Sequence, residues 1–363
     1  MSRRFRLGQS RHAQDMDHAR VYAKERNAEG KRSHQRADRL ETGILAHDSE
    51  SLLVLPDAAP WMHLPEATLI QRHSQWVDLE LDDRTELHAT LGGKLKGVRL
   101  VCGDRVRYQA MPTDSLDGTQ PQAQVVAVMP RRTLLRRGGI DDRVAWQLIC
   151  ANADELWVCA AVVDPPIRPG LLERAHALAL DAGLAFRIVV TKRDKASPKD
   201  TLPELDPLRE QGLRIHETSA AQGSGLDPLF TALAGRTVVL LGHSGVGKST
   251  LINALVPGSD QRTGAMTKYG TGRQTTSTTR RFAVPSGGTL VDTPGIRNLS
   301  VRGLDRALLA QVFPEFPAEW LEDPSGLDPE DESLGLDYPE RLHNLRRLWE
   351  EMGARNPNQN VHR

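Results

Sequence analysis

The octapeptide Gly242-His-Ser-Gly-Val-Gly-Lys-Ser249 constrains this 363-residue chain more than any other feature, because it lies between an apolar run at Thr237–Leu241 and a helical pattern at Lys248–Leu255. It matches G-x-x-x-x-G-K-[ST], in which a strand ends in a turn tight enough for backbone N–H groups to curl round an anion. Gly242, Gly245 and Gly247 permit the curl, the N-terminus of the following helix adds a favourable dipole, and Lys248 can reach β and γ phosphate oxygens. Ser249 would bring a hydroxyl to Mg²⁺. The sequence thus predicts a phosphate-binding loop made of Gly242, His243, Ser244, Gly245, Val246, Gly247, Lys248, Ser249 and Thr250.

Such a loop needs a parallel sheet covered by helices, and the surrounding sequence supplies the alternation. Strands are expected at Leu156–Val163, Ala185–Val190, Leu213–His216, Thr237–Leu241 and Gly288–Asp292, with helices at Pro169–Ala182, Leu226–Leu233 and Lys248–Leu255. Upstream, period-two runs at Ser51–Leu55, Trp76–Leu81, Val98–Val101, Arg105–Tyr108 and Gln124–Met129 are split by Gly, Asp and Pro, which predicts a small all-β barrel. Downstream, Leu342, Leu345, Leu348, Trp349 and Met352 recur at helical spacing behind Pro339. The expected fold class is multidomain: a basic arm at 1–40, an OB-like barrel at 41–130, an α/β P-loop domain at 131–305, and an acidic connector with a terminal helix at 306–363.

Two further elements name the base. Thr191-Lys-Arg-Asp194 closes one strand and Thr218-Ser-Ala220 another. They resemble the [NT]-K-x-D and S-A elements with which Ras-like GTPases read guanine. One carboxylate can accept from both N1–H and the exocyclic amine of guanine, a pair adenine does not offer. Asp194 is that carboxylate, the stem of Lys192 can cover the base, and the Ala220 N–H is available to the guanine carbonyl. Thr191, Lys192, Arg193, Asp194, Ser219 and Ala220 therefore join the loop residues as the expected GTP site, with Gly295 of Asp292-Thr-Pro-Gly295 donating to the γ-phosphate. Ser249, Thr275, Thr276 and Asp292 are the expected Mg²⁺ residues, and Lys248 and Gln274 the catalytic pair.

The order of these elements is informative: guanine elements first, then the phosphate loop, then the Thr-rich Gly272–Thr279, then Asp292. This resembles the circular permutation of the ribosome small subunit-dependent GTPase A family. The likeness runs from roughly residue 88 to 300 and includes Val101–Val106, Met129–Arg136, Ala151–Asp154 and Gly264–Arg281. It implies a GTPase that binds GTP and Mg²⁺, acts in late maturation of the small ribosomal subunit, contacts its rRNA, and is stimulated by it. The family has a zinc module of three Cys and one His after the GTPase domain. This chain has no Cys after Cys159, and His343 and His362 do not make up the set, so no zinc is expected. The family pattern G-R-H-T-T-T carries Gln274 in the His position here, and Ile296 stands where Ras-like enzymes place a water-orienting Gln. Gln274 is accordingly the expected water-orienting group. A nucleotide-gated RNA-binding module with vestigial hydrolysis is the alternative.

Charge distribution suggests how the subunit is met. Residues 1–40 hold eleven Lys or Arg against five Asp or Glu, which reads as a basic arm, whereas 315–340 hold ten acidic residues and no Lys or Arg, which reads as a solvated connector. Lys94, Lys96, Arg99, Arg105, Arg107, Arg131, Arg132, Arg136 and Arg137 are expected to form one basic face for rRNA phosphates. Three cysteines at irregular spacing point to reduced thiols, and no apolar run is long enough to span a bilayer. A soluble, cytoplasmic, monomeric protein is expected.

Overall fold

A computed structural model describes residues 61–73, 76–95, 98–111, 121–139, 146–197, 201–259, 279–293 and 299–353. Strands β1 (Glu66–Arg72), β2 (Trp76–Glu80), β3 (Glu86–Leu91), β4 (Arg105–Ala110) and β5 (Ala123–Val128) close into a barrel in the order β1-β2-β3-β5-β4. Alternate residues, among them Leu69, Val77, Leu79, Ala89, Val106 and Val125, fill its interior, and closure removes the exposed edges a small sheet would carry. The run at Ser51–Leu55 lies outside the described residues.

Val98–Val101 alternates like a strand but is not one. The fully buried Asp104 carboxylate accepts the Val101 N–H at 2.8 Å and binds Arg131 at 2.7 and 2.9 Å, which folds the segment into a turn. A hairpin not foreseen in the sequence, β6 (Leu134–Gly138) with β7 (Trp146–Ala151), follows the barrel. At Gly103, φ is +91° and a Cβ would lie 2.0 Å from the Ala151 carbonyl, so only glycine lets the barrel turn meet the hairpin this closely.

The second sheet runs β10 (Arg214–Glu217), β9 (Ala185–Thr191), β8 (Glu155–Ala161), β11 (Thr237–Gly242), β13 (Thr289–Asp292), β12 (Arg280–Ala283). All neighbours are parallel except β12 on β13, and β8 is buried along its whole length, as a central strand covered on both faces should be. Helices α1 (Pro169–Asp181), α2 (Asp206–Glu210), α3 (Asp227–Leu233) and α4 (Lys248–Leu255) accompany the strands. The order of the described elements is that of a multidomain protein with an OB-like barrel ahead of a permuted P-loop domain.

The acidic segment is not a solvated connector. Phe313 and Phe316 are buried, and Trp320, Leu327, Leu334 and Leu336 pack against the core of the large sheet. Many of its carboxylates project outward, and Asp323, Asp328 and Asp331 each accept a nearby backbone N–H at about 3.0 Å. Helix α5 (Leu309–Val312) precedes the segment, which includes α6 (Ala318–Glu322) and leads into α7 (Pro339–Gly353), whose Leu342, Leu345, Leu348 and Met352 are buried.

Helix α7 is tied down by charge as well as by apolar contact. Arg341, 1% exposed, reaches Glu173 of α1 at 2.9 Å, Glu315 at 2.7 and 3.0 Å and the Val312 carbonyl at 3.0 Å. Glu351 accepts the Val301 N–H at 2.9 Å and pairs with Arg174 of α1. Removing one partner of a buried pair strands the other, so Arg341→Ala should cost about 3–5 kcal/mol. Urea unfolding measures this; a loss within the surface range of roughly 0.5 kcal/mol would contradict the packing described.

Candidate functional site

The C-terminal ends of β9, β10, β11 and β13 share one edge of the sheet, where open α/β sheets take their ligands. Strand β11 passes through Gly242, His243, Ser244, Gly245, Val246 and Gly247 into α4, which opens with Lys248, Ser249 and Thr250. Gly245 and Gly247 take φ of +84° and +90°, the left-handed backbone that turns successive N–H groups inward.

Thr191, at the end of β9, donates its hydroxyl to the Val246 carbonyl and lies 3.2 Å from the Ala160 carbonyl. A Cβ on Gly247 would come 3.4 Å from the Thr191 hydroxyl and 3.7 Å from the stem of Lys192. The tetrapeptide at 191–194 and the glycine loop are thus in direct contact. The link from this position to the loop is made by the Thr191 hydroxyl.

Lys192 occupies the left-handed region (φ +58°), and its ammonium donates to the Asp164 carbonyl. Ser219 donates to the Asp194 carboxylate at 2.5 Å, fixing its orientation and joining the two elements proposed to read the base. Ala220 follows Ser219 and packs on the core beside β11. Arg193 differs: its guanidinium is held by Glu217 at 3.0 Å.

At the head of the loop, the Lys248 ammonium meets Asp292 and donates to the Thr293 carbonyl at 2.9 Å. Burial raises the Asp292 carboxyl above its usual range while the Lys248 charge opposes that rise. Cys159 lies under the loop, 3.1 Å from where a Gly242 Cβ would be, and burial pushes its thiol up to about 12, so it packs as an apolar floor. Gln274, Thr275, Thr276 and Gly295 lie outside the described residues.

A cavity of about 370 Å³ opens beside the first half of the loop, between His243, Ser244 and the segment Pro165–Leu172. Arg168 lines it. Sequence reading missed this residue because it belongs to no motif, and only the fold brings it to the loop.

Among the described residues, the arginines of the expected basic face are engaged within the fold. Arg105 and Arg107 pair with Glu66, Arg131 with the buried Asp104, Arg132 with Asp154 and Arg136 with Asp181. Arg99 donates to the Trp146 carbonyl, and Arg137, 9% exposed, holds Gln147. Each cation has an acceptor within the fold, so these arginines join barrel, hairpin and sheet and do not form one free patch. Lys96 and the Lys94 side chain lie outside the described residues.

Comparison with known proteins fits this geometry. The RsgA GTPase family matches residues 128–302. The small ribosomal subunit biogenesis GTPase RsgA of Gemmatimonas aurantiaca is 34% identical over 235 residues, 63% of this chain and 75% of that one. The chain belongs to the RsgA GTPase family. The RsgA of Bordetella pertussis is 34% identical over 69% of this chain and 81% of its own length, and that of Azotobacter vinelandii 37% identical over 60% and 62%. The crystal structure of YjeQ from Thermotoga maritima shares the fold, with a TM-score of 0.57 at 24% identity over 80% of this chain and 99% of that one.

The RsgA assignment makes the Thr191 contact testable. Thr191→Val leaves the Val246 carbonyl without its donor, a loss of about 1–3 kcal/mol, and should weaken GDP binding roughly 5- to 150-fold. Thr191→Asn should restore most of it. Fluorescent-GDP titration measures both; unchanged affinity in the valine variant would show that the contact does not shape the loop.

Proposed function

We propose that this protein binds GTP across the Thr191–Asp194 and Gly242–Thr250 elements, hydrolyses it in response to the small ribosomal subunit, and acts in late maturation of that subunit in the cytoplasm. The observation that supports the reading is the contact of Thr191 with Val246, which sets the tetrapeptide ending in Asp194 against the glycine loop. The names of the relatives supply the subunit.

The residues present fit the ligand. A loop of left-handed glycines ahead of a helix N-terminus suits a polyphosphate, and the Ser249 hydroxyl with the Asp292 carboxylate offers the hard oxygens Mg²⁺ prefers. Among the described residues no three His, Cys, Asp or Glu side chains cluster, so phosphate and water would complete the Mg²⁺ shell. Bound Mg²⁺ would neutralise charge on the β and γ oxygens. Asp194, oriented by Ser219, would take the guanine edge, with Lys192 over the base and Ala220 N–H at its carbonyl. Lys248 would leave Asp292 for the phosphates, and Thr275 or Thr276 would join the Mg²⁺ shell. Gly295 would donate to the γ-phosphate and Gln274 would orient the attacking water.

Contact with rRNA belongs to the same proposal. Of the nine cations considered, Arg132 is well suited to it, being 60% exposed despite its pairing with Asp154.

Phosphate release from GTP with and without purified small subunits tests the reading. Stimulated release that is lost in Asp194→Ala and unaffected by excess ATP is expected. GTP-dependent subunit binding without stimulated release would instead favour the module with vestigial hydrolysis.

A further inference from the structure

Arg168 stands apart from the other arginines near the site. Those flanking the barrel and hairpin are engaged by carboxylates or carbonyls, and Arg187 in the sheet is held by Glu155 at 2.8 Å. Arg168 is exposed, and its side chain caps no helix and has no hydrogen-bond or ion-pair partner among the described residues, only its backbone carbonyl being engaged by α1. It nevertheless lines the same cavity as His243 and Ser244 of the phosphate loop.

The cavity gives that cation a purpose. Ile167, Leu171 and Leu172 form an apolar wall of the cavity, and closure of a ligand over it would strengthen the attraction between the Arg168 charge and an anion. The backbone is held as well: Arg168 lies between Pro166 and Pro169, and as a residue before proline it is confined to an extended conformation (φ −125°, ψ 96°). Little backbone freedom is lost when the side chain engages a ligand. His243 is less suited to the role, since burial and then the Arg168 charge lower its pKa and disfavour the charged imidazole.

We propose that Arg168 is a catalytic cation supplied in cis, its guanidinium extending from the cavity to the γ-phosphoryl oxygens as charge builds on them. The role rests on the reading that Gly242–Thr250 holds GTP. In the step it serves, the water oxygen bonds to the γ-phosphorus, the bond to the β–γ bridging oxygen breaks, and its electron pair stays with GDP. The water proton ends on inorganic phosphate, and Arg168 stabilises charge without forming a covalent bond.

Single-turnover GTP hydrolysis by the full chain, measured beside GDP and GDP–aluminium fluoride affinities, tests the assignment. Arg168→Ala should lower the hydrolysis rate by roughly 1,000-fold or more, the magnitude expected of an arginine finger. GDP affinity should stay within about threefold of wild type while aluminium fluoride no longer tightens binding. Arg168→Lys should recover little, because the planar fork is needed, whereas millimolar guanidinium should partly rescue the alanine variant. A rate within about twofold of wild type, or a fall in hydrolysis matched by an equal fall in GDP affinity, would overturn it. If wild-type protein binds no guanine nucleotide, the phosphate-loop reading itself fails; intact GDP binding with unchanged turnover in the variant refutes only Arg168.

Discussion

The hydroxyl of Thr191 on the carbonyl of Val246 is the interaction on which the site depends. It joins a tetrapeptide at the end of β9 to a glycine loop that follows β11, although β8 lies between those strands. Parallel strands deliver both to the same edge, and a hydrogen bond from a buried side chain holds them in register. Around it, smaller constraints follow: Ser219 orients Asp194, Lys192 anchors on the Asp164 carbonyl, and Gly247 leaves room for Thr191. None of these residues contributes to a site by itself; the sheet makes them one.

Many of the charged residues act as ties between parts of the fold. Buried or half-buried arginines pair within the fold, and so do their carboxylates: Arg131 with Asp104, Arg187 with Glu155, Arg341 with Glu173 and Glu315. These pairs unite barrel, hairpin, sheet and terminal helix. Helix α7 acts as a clamp, since Glu351 holds both Arg174 of α1 and the backbone at Val301, a few residues beyond Asp292. Because α1 also walls the cavity beside the phosphate loop, the clamp and the site share one helix.

Much of this was legible in the sequence, for identifiable reasons. The glycine loop and the base elements have fixed spacing because backbone geometry demands it, and β8 reads as an unbroken apolar run because both its faces are covered. Strand β1 departs from period two where Leu69 and Ile70 adjoin and the register shifts, and β3 alternates over only three apolar residues, Leu87, Ala89 and Leu91, so neither is among the expected runs. Val98–Val101 was misread because the Asp104 side chain, invisible to periodicity, bends it. The acidic segment was misread because outward carboxylates conceal aromatic residues packed beneath them. The pairing of the arginines beside the barrel and hairpin was not legible for a related reason: a count of arginines does not reveal which have acceptors within the fold. Arg168 escaped notice because a cavity, unlike a loop, leaves no pattern along the chain.

The central claim is that the elements at 191–194 and 242–250 hold one guanine nucleotide together. Amide hydrogen exchange with and without GDP tests this most directly. GDP should slow exchange in both segments at a single saturation point, with ATP producing neither effect. Protection of the glycine loop alone, or equal protection by ATP, would contradict the account.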